Sequence, residues 1–225
     1  MSEERLRLTA YHEAGHTVAS WVVGLEMEGA SIEKQGSSLG RVTYTDMEAM
    51  GVYNEILYQH LVSSYAGVRA VELCTGRPAD PDDPNMDPRY KGSDWYGVMD
   101  LTLALGGPEE SGQAAVQERA EEEAQRILRE NWRGVDAVAD ALLRHRSLNT
   151  ADLSRILGEA NCPRGEPVYE YELEQLANRL WELKHRYNAL IEEGRHKGAR
   201  RIAEEHAQVE SKMEELARLA EYQDE

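Results

Sequence analysis

The fold of this protein is decided near the start of the chain, where residues 5–24 read RLRLTAYHEAGHTVASWVVG. Apolar side chains recur in this stretch at steps of three or four residues, at Leu6, Ala10, Ala14, Val18, Trp21 and Val22. That spacing puts them on one face of an α-helix, and Gly24 is a typical residue at a helix end. We therefore predict a helix over 5–24 with one buried face.

The same stretch carries the motif His12-Glu13-Ala14-Gly15-His16. Residues i and i+4 lie one turn apart, so both imidazoles can reach a single Zn²⁺ ion, and the glutamate between them can act as general base on an attacking water. Two unrelated surface histidines are the alternative interpretation, but the motif lies in an apolar helix. Gly15 is costly inside a helix, which indicates close approach of another part of the chain.

Short strands and further helices are predicted downstream. Ala30–Glu33 and Arg41–Thr45 are typical of strands around a turn at 36–40. Four prolines fall within 76–92, which predicts a loop. Helical periodicity covers 50–73, 93–105, 111–131, 135–145 and 149–157.

The chain changes character beyond residue 162. Apolar residues follow a heptad pattern over 173–190 and again over 202–220, with charged residues between them, as in coiled coils. Gly194 and Gly198 interrupt the heptad frame and favour a helical hairpin that turns near 193–199 over one continuous rod. We expect two domains, 1–162 and 163–225.

Composition excludes several functional classes. The chain has 225 residues and a net charge of −17, which disfavours nucleic acid and anionic lipid as partners. No apolar run approaches the roughly 20 residues of a membrane span, and the acidic start is unlike a signal peptide. Cys74 and Cys162 have no CxxC partner and suggest reduced thiols. We expect a soluble, cytoplasmic protein with no nucleic-acid or membrane partner.

A catalytic zinc ion needs a third protein ligand and an open position for water. The extended HExxHxxGxxH form is excluded, because the chain has Ala19 and Val22 where that form has glycine and histidine. Asp94 is favoured because it ends the proline-rich loop and begins a helix, although a helix N-cap is the simpler interpretation. The candidate ligands are Glu55, Glu72, Asp94 and Asp100.

Two other ligand sites are disfavoured. Asp80 to Asp87 is acidic like a calcium loop, but prolines interrupt it and the EF-hand glycine and terminal glutamate are missing. No GxxxxGK[ST] occurs in the sequence, so no phosphate-binding loop is predicted.

Residues 10–19, AYHEAGHTVA, resemble the AYHEAGHAV segment of the FtsH peptidase domain, the zinc protease part of the membrane AAA+ proteases. Leu39–Thr43 is similar to the ALGVT strand of that family, and Tyr65–Leu73 to its AGRAAEEI helix. Lys91–Asp94 falls at the family's TGASND segment, and Leu148–Leu153 resembles its terminal helix. The resemblance covers about residues 3–160.

We predict a predominantly α (α+β) protein, with a helical domain and small β-sheet that the resemblance implies to be a zincin-like peptidase domain, followed by the coiled-coil hairpin indicated by the heptad pattern. It implies His12, His16 and Asp94 as zinc ligands and Glu13 as the catalytic base. The segment 92–94 is one residue shorter than in the family, so Asp100 stays an alternative. A second likeness, to the GTxDxxYG signature of aspartate-type zincins, also selects Asp94.

The resemblance also implies that the strand at 40–45 borders the cleft and pairs with an extended peptide, which tolerates many sequences. We expect a stand-alone relative without the ATPase module and membrane helices, acting as an ATP-independent zinc metallopeptidase on unstructured or exposed polypeptide. Residues 166–222 would serve self-association or a partner protein. The alternative is a non-catalytic binding or scaffold protein that acts through its coiled coil.

Overall fold

The computed structural model describes residues 2–33, 40–44, 54–78, 94–165 and 168–221. Of residues 54, 55, 96, 168–175 and 215–221 it describes the backbone alone. The chain divides into two compact units, 1–165 and 166–225. Eight helices and a three-stranded antiparallel sheet in the described residues confirm the predominantly α (α+β) class.

The first helix, α1, spans Glu3–Val23. It begins where the Ser2 hydroxyl accepts a hydrogen bond from the Arg5 backbone N–H at 3.2 Å, which satisfies one of the orphan donors of the first turn. It ends at Gly24, whose φ of 84° lies in the left-handed region that favours glycine. The apolar positions Ala10, Ala14 and Val18 are fully buried, as the periodicity predicted.

Helix α2, Asn54–Thr75, packs along α1. A Cβ atom added at Gly15 would overlap the Ala66 carbonyl oxygen and lie 2.6 Å from the Ala70 Cβ. The two helix backbones therefore approach more closely than any larger residue allows, which confirms the close approach predicted at Gly15.

The sheet consists of β1 (Met27–Ser31), β2 (Arg41–Tyr44) and β3 (Ser147–Asn149), in the order β2-β1-β3. The first two strands were predicted, although β1 lies three residues earlier at its start than the pattern indicated. The third strand was missed because three residues are too few to show a period of two. It forms by pairing Leu148 with Ala30 of β1.

Four more helices complete the first unit: α3 (Asp94–Gly106), α4 (Glu110–Glu130), α5 (Trp132–His145) and α6 (Thr150–Glu159). Leu128 of α4, Leu142 of α5 and Leu157 of α6 are fully buried and join the α1 and α2 side chains in one core. Leucine, isoleucine, valine and alanine fill this core because the sequence contains no phenylalanine.

The second unit consists of α7 (Val168–Glu192) and α8 (His196–Glu221), which pack against each other. Gly194 has a φ of 72°, and the Arg195 N–H donates to the Leu190 carbonyl at 2.8 Å, which closes the turn. Arg179 of α7 pairs with Glu205 of α8 at 2.6 Å, so the helices run antiparallel as a hairpin. Coiled-coil packing, the boundary at 162 and independent folding of the two parts stay predictions.

Several predictions fall outside the described residues. These are the turn at 36–39, the helix start at 50–53, most of the proline-rich loop (79–93) and the acidic segment Asp80 to Asp87. Within the described residues, no helix combines the length and apolar character needed to cross a membrane.

Candidate metal centre and active site

Three side chains converge where α1 meets the start of α3. His12 and His16 project from α1, and Asp94 is the first residue of α3. Asp94 Oδ2 lies 2.7 Å from His12 Nε2 and 3.4 Å from His16 Nε2, and the two Nε2 atoms are 3.0 Å apart. Among the described residues, these three form the group of His, Cys, Asp and Glu side chains that can hold a metal ion.

The position of α2 explains how the two imidazoles fit together. Their rings meet edge to face, with centroids 4.6 Å apart. A Cβ at Gly67 of α2 would overlap His16 Nε2 and lie 2.9 Å from His12 Cε1. The glycine therefore leaves the space that the rings occupy, and α2 forms the floor beneath them.

A backbone contact fixes the orientation of His16. Its Nδ1–H donates to the Ser63 carbonyl oxygen on α2 at 2.7 Å. With the proton held on Nδ1, Nε2 is the nitrogen that presents a lone pair to a metal, and such an outer hydrogen bond also makes the ligand more basic. His12, Glu13 and His16 are all buried, with exposed fractions of 7%, 4% and 6%.

The donor set fits zinc. Two imidazole nitrogens and one carboxylate oxygen make a common catalytic zinc site, and a tetrahedral ion with bonds of about 2.0–2.1 Å holds its ligands roughly 3.3 Å apart. The 3.4 Å separation between His16 and Asp94 matches this spacing. The other two separations, 2.7 and 3.0 Å, are hydrogen-bonding distances that would widen by a few tenths of an ångström.

Glu13 lies between the two histidines in sequence and contacts the start of β2 in space. A Cβ at Gly40 would overlap its carboxylate, so the backbone just before β2 lies directly against the Glu13 side chain. Burial raises the pKa of Glu13 to about 7, Asp94 adds to the rise, and the two histidines oppose it. A buried carboxyl group beside the strand is thus placed to exchange a proton.

Electrostatic interactions among the three converging side chains shift the pKa values of His16 and Asp94. Burial lowers the pKa of His16, but the Asp94 carboxylate, Glu13 and the Ser63 carbonyl raise it by more than burial lowers it. The resulting pKa is about 9. Burial raises the pKa of Asp94, yet the two histidines hold it well below its usual range. Asp94 is therefore ionised, which is the form that binds a cation.

A cluster of hydroxyl groups links β2 to the two helices behind the site. Ser63 Oγ lies 2.9 Å from Ser20 Oγ and 2.8 Å from the Tyr44 hydroxyl, and Tyr44 lies 3.1 Å from Ser20. Burial raises the pKa of Tyr44 to about 12, so this hydroxyl stays protonated. The end of β2 is thereby tied to the residue that orients His16.

The other candidate ligands lie elsewhere or are otherwise engaged. Asp100 is exposed on α3, and the Glu72 carboxylate pairs with Arg69. The side chain of Glu55 lies outside the described residues. The structure therefore brings Asp94, and neither Asp100 nor Glu72, to the two histidines.

Sequence reasoning missed the supporting residues. Ser63 acts on His16 through its carbonyl oxygen, which every residue possesses, so no side-chain signal was available. Gly67 falls within the family-like segment 65–73, but only the packing shows that it makes room for the imidazoles. Tyr44 lies in a predicted strand, whose contacts depend on how the strand docks.

Two cavities differ in their relation to this site. A cavity of about 20 Å³, enough for one water molecule, adjoins Asp94 and is lined also by Ser64, Tyr65, Val68 and Trp95. A cleft of about 580 Å³ lies between α5, β3 and α6, but none of the converging residues lines it. Arg133, Arg144 and Arg155 face three acidic residues there, so its charges balance.

Comparison with known proteins agrees with this geometry. No protein-family model matches the chain. The chain is 29% identical over 200 aligned positions to the "ATP-dependent zinc metalloprotease FtsH 4" of Sphaerobacter thermophilus. The match covers 75% of this chain and 30% of that protein, so the chain spans under a third of the length of the curated relative. The chain is thus similar to part of a zinc metalloprotease, and it has a His-His-Asp group of the kind that binds zinc.

Proposed function

We propose that this chain is a zinc metallopeptidase that hydrolyses peptide bonds of unstructured or exposed polypeptide. The observation that carries the proposal is the convergence of His12 Nε2, His16 Nε2 and Asp94 Oδ2 beside the buried Glu13. Similarity to part of a zinc metalloprotease supports it.

In this proposal His12, His16 and Asp94 would hold a zinc ion, which would act as a Lewis acid and lower the pKa of the attacking water. Glu13 accepts the proton of that water, because it is the buried carboxyl group that adjoins both the histidines and the strand. Asp94 is the ligand with the most exposed side chain, at 28%, so substrate approaches from its side.

The peptide lies in extended form along β2. This strand is at one edge of the described sheet, and the residue before it contacts Glu13. Main-chain hydrogen bonds to β2 place a substrate carbonyl group near Glu13. These bonds do not depend on the substrate side chains, so the enzyme accepts many sequences. In this proposal the side chains of the protein transfer protons or position the substrate, and no step hydrolyses a nucleotide. We therefore propose that hydrolysis is independent of ATP.

The decisive experiment compares the zinc-loaded protein with its Glu13→Gln variant on a library of unstructured peptides, with and without ATP. We expect cleavage by the wild-type protein alone, in both conditions, with loss on adding a chelator. The variant should retain one zinc ion per chain by elemental analysis, because Glu13 is assigned as base and not as ligand. Equal behaviour of the two proteins would favour the scaffold alternative, and cleavage that requires ATP would contradict the proposed mechanism.

A second experiment tests the third ligand with a matched pair of variants on α3. Asp94→Ala should abolish tight zinc binding, because it removes the carboxylate whose oxygen converges with both histidine nitrogens among the described residues. Asp100→Ala removes an exposed carboxylate from the same helix and should leave zinc binding unchanged. The reverse result would show that the ligand assignment is wrong.

A further inference from the structure

The second unit exposes more apolar surface than a two-helix hairpin can cover. Of the side chains described there, Leu183, Ala199 and Ile202 are the buried apolar ones. Trp181, Tyr187 and Ile191 of α7 are 63%, 37% and 40% exposed, and they make up half of the large exposed apolar side chains of the described residues. At 3.6 residues per turn, Tyr187 and Ile191 lie about 40° apart on α7, and Trp181 lies about 80° further round the helix.

Apart from the buried Leu183, Ala199 and Ile202, the described apolar side chains of the helix contact are only half covered. Leu176, Leu180 and Leu190 of α7 and Val209 and Met213 of α8 have intermediate exposure, although they follow the heptad pattern. Two antiparallel helices bury a single seam between them, whereas a bundle of four encloses such residues on all sides. The hairpin therefore has the surface of half a bundle.

The charges of the hairpin are separated along its length. We define the tip as residues 184–201, which carry six Lys or Arg and two Glu. The base, residues 168–183 and 202–221, carries ten acidic residues and three Lys or Arg. The tip is thus positive and the base negative.

Most of the positive charges of the tip have no ion-pair partner among the side chains that the structure describes. They are Lys184, Arg186, Lys197 and Arg201, and all four are exposed. Lys197 and Arg201 also lie near the N-terminus of α8, where the helix dipole disfavours cations. Cations that do not stabilise their own helix indicate an acidic surface outside it.

We propose that the second unit binds a second copy of the same chain, hairpin against hairpin and antiparallel, as a symmetric four-helix bundle. In that orientation the basic tip of each hairpin lies along the acidic base of the other, so the two contacts are identical, as a two-fold axis requires. A parallel arrangement would place like charges together. Trp181, near the middle of α7, then lies towards the centre of the interface, where apolar anchors contribute most, and Ile191 lies near the tip. The proposal does not depend on the zinc chemistry.

The first test is the association state of the full chain by sedimentation equilibrium. We expect a dimer at micromolar concentration that dissociates more readily as salt is raised, because salt screens the charges. Trp181→Ala should weaken association by about thirtyfold or more. Leu103→Ala is the matched control, because it truncates a 55% exposed side chain of α3 in the first unit, and it should change nothing. A wild-type chain that stays monomeric would overturn the proposal.

Charge reversal tests the antiparallel orientation. The tip variant Lys184→Glu, Lys197→Glu, Arg201→Glu should lose self-association, and so should the base variant Glu204→Lys, Glu210→Lys, Glu214→Lys. An equimolar mixture of the two should associate more strongly than either variant alone, because the basic tip of the base variant then meets the acidic base of the tip variant, while the other contact joins two weakly charged segments. In a parallel dimer the tip variant would associate as the wild type does, which would refute the orientation. Helical content measured by circular dichroism shows that each variant is folded, and a mixture of folded variants that fails to associate would count against the proposal.

Discussion

The two helix pairs of this molecule differ in how closely they pack. Gly15 and the Ala66 backbone bring α1 and α2 together so closely that a single methyl group has no space, and the side chains between them are almost fully buried. In the pair α7 and α8, the described leucines of the seam are mostly half covered.

The difference corresponds to what each pair is built to hold. The first pair fixes two imidazoles, and a metal centre requires ligands held to within a fraction of an ångström by packing and outer hydrogen bonds. The second pair leaves apolar and charged surface exposed, which is the surface that the proposed self-association would cover. We therefore expect the same type of substitution to change stability by different amounts in the two units.

The largest difference is expected for matched leucine truncations. Leu128→Ala should destabilise the first unit by about 2–5 kcal/mol, because Leu128 is fully buried and its removal leaves a cavity. Leu180→Ala in the half-covered seam of α7 should cost less than half as much at protein concentrations low enough for the chain to be monomeric. Denaturant unfolding, followed by hydrogen exchange in each unit, measures both. Equal losses would show that the hairpin is as well packed as the first unit.

Protonation of His60 of α2 should lower the stability of the first unit in acid, against the opposite contribution of Glu13, whose raised pKa favours the folded state as pH falls from about 7 to 4.5. Burial lowers the pKa of His60 to about 4, and its Nε2 has no hydrogen-bond partner in the structure. An unfolded histidine takes up its proton near pH 6.5, so the unfolded state gains protons first and stability falls as pH drops from about 6.5 to 4. Over this pH range the His60 contribution lowers the free energy of unfolding by about 3 kcal/mol, and above pH 6.5 it does not change.

Variants at two histidines isolate this effect. Relative to the wild type, His60→Phe should gain about 3 kcal/mol of unfolding free energy as pH falls from 7 to 4, measured by denaturant titration. His145→Phe replaces an exposed histidine and should leave the dependence as it is in the wild type. An unchanged slope in His60→Phe would show that another group takes up the proton.

Glycine substitutions probe the helix packing directly. Gly15→Ala should destabilise by about 1–3 kcal/mol because the new Cβ overlaps α2, even though alanine is the better helix former. Gly158→Ala of α6 meets no atom within 4 Å and should stabilise by about 0.5–1 kcal/mol. Thermal unfolding distinguishes the two by the sign of the change in Tm. A stabilising Gly15→Ala would mean that α1 and α2 are less tightly packed than the structure indicates.

The smallest effect is expected at the turn of the hairpin. Gly194 has a φ of 72° and open space around it, so Gly194→Ala should cost about 1 kcal/mol through backbone strain alone. Helical content on heating measures the loss, with Gly158→Ala as the unstrained control. A neutral result would show that the turn adopts another conformation.

The helices were predictable because their apolar periodicity is local. The prediction over 5–24 matches α1 within two residues at each end, and the start at residue 93 matches α3 within one. The third strand was not predictable, since Ser147–Asn149 extends only because β1 is there to pair with it.

The candidate site divides in the same way. The spacing of His12, Glu13 and His16 along one helix is a property of the sequence, because a regular helix converts four residues into one turn. The choice of Asp94 over Asp100 needed the position of α3 relative to α1, and the role of Ser63 needed that of α2.

The sequence by itself thus determined which segments are helical, where the pair of histidines lies and how charge is distributed along the hairpin, because each depends on residues near one another in the chain. Only the tertiary structure decided the carboxylate that joins the histidines, the glycine that makes room for them and the surface that α7 leaves exposed. Those features depend on how separate elements pack together, and packing is set by shape across the whole core.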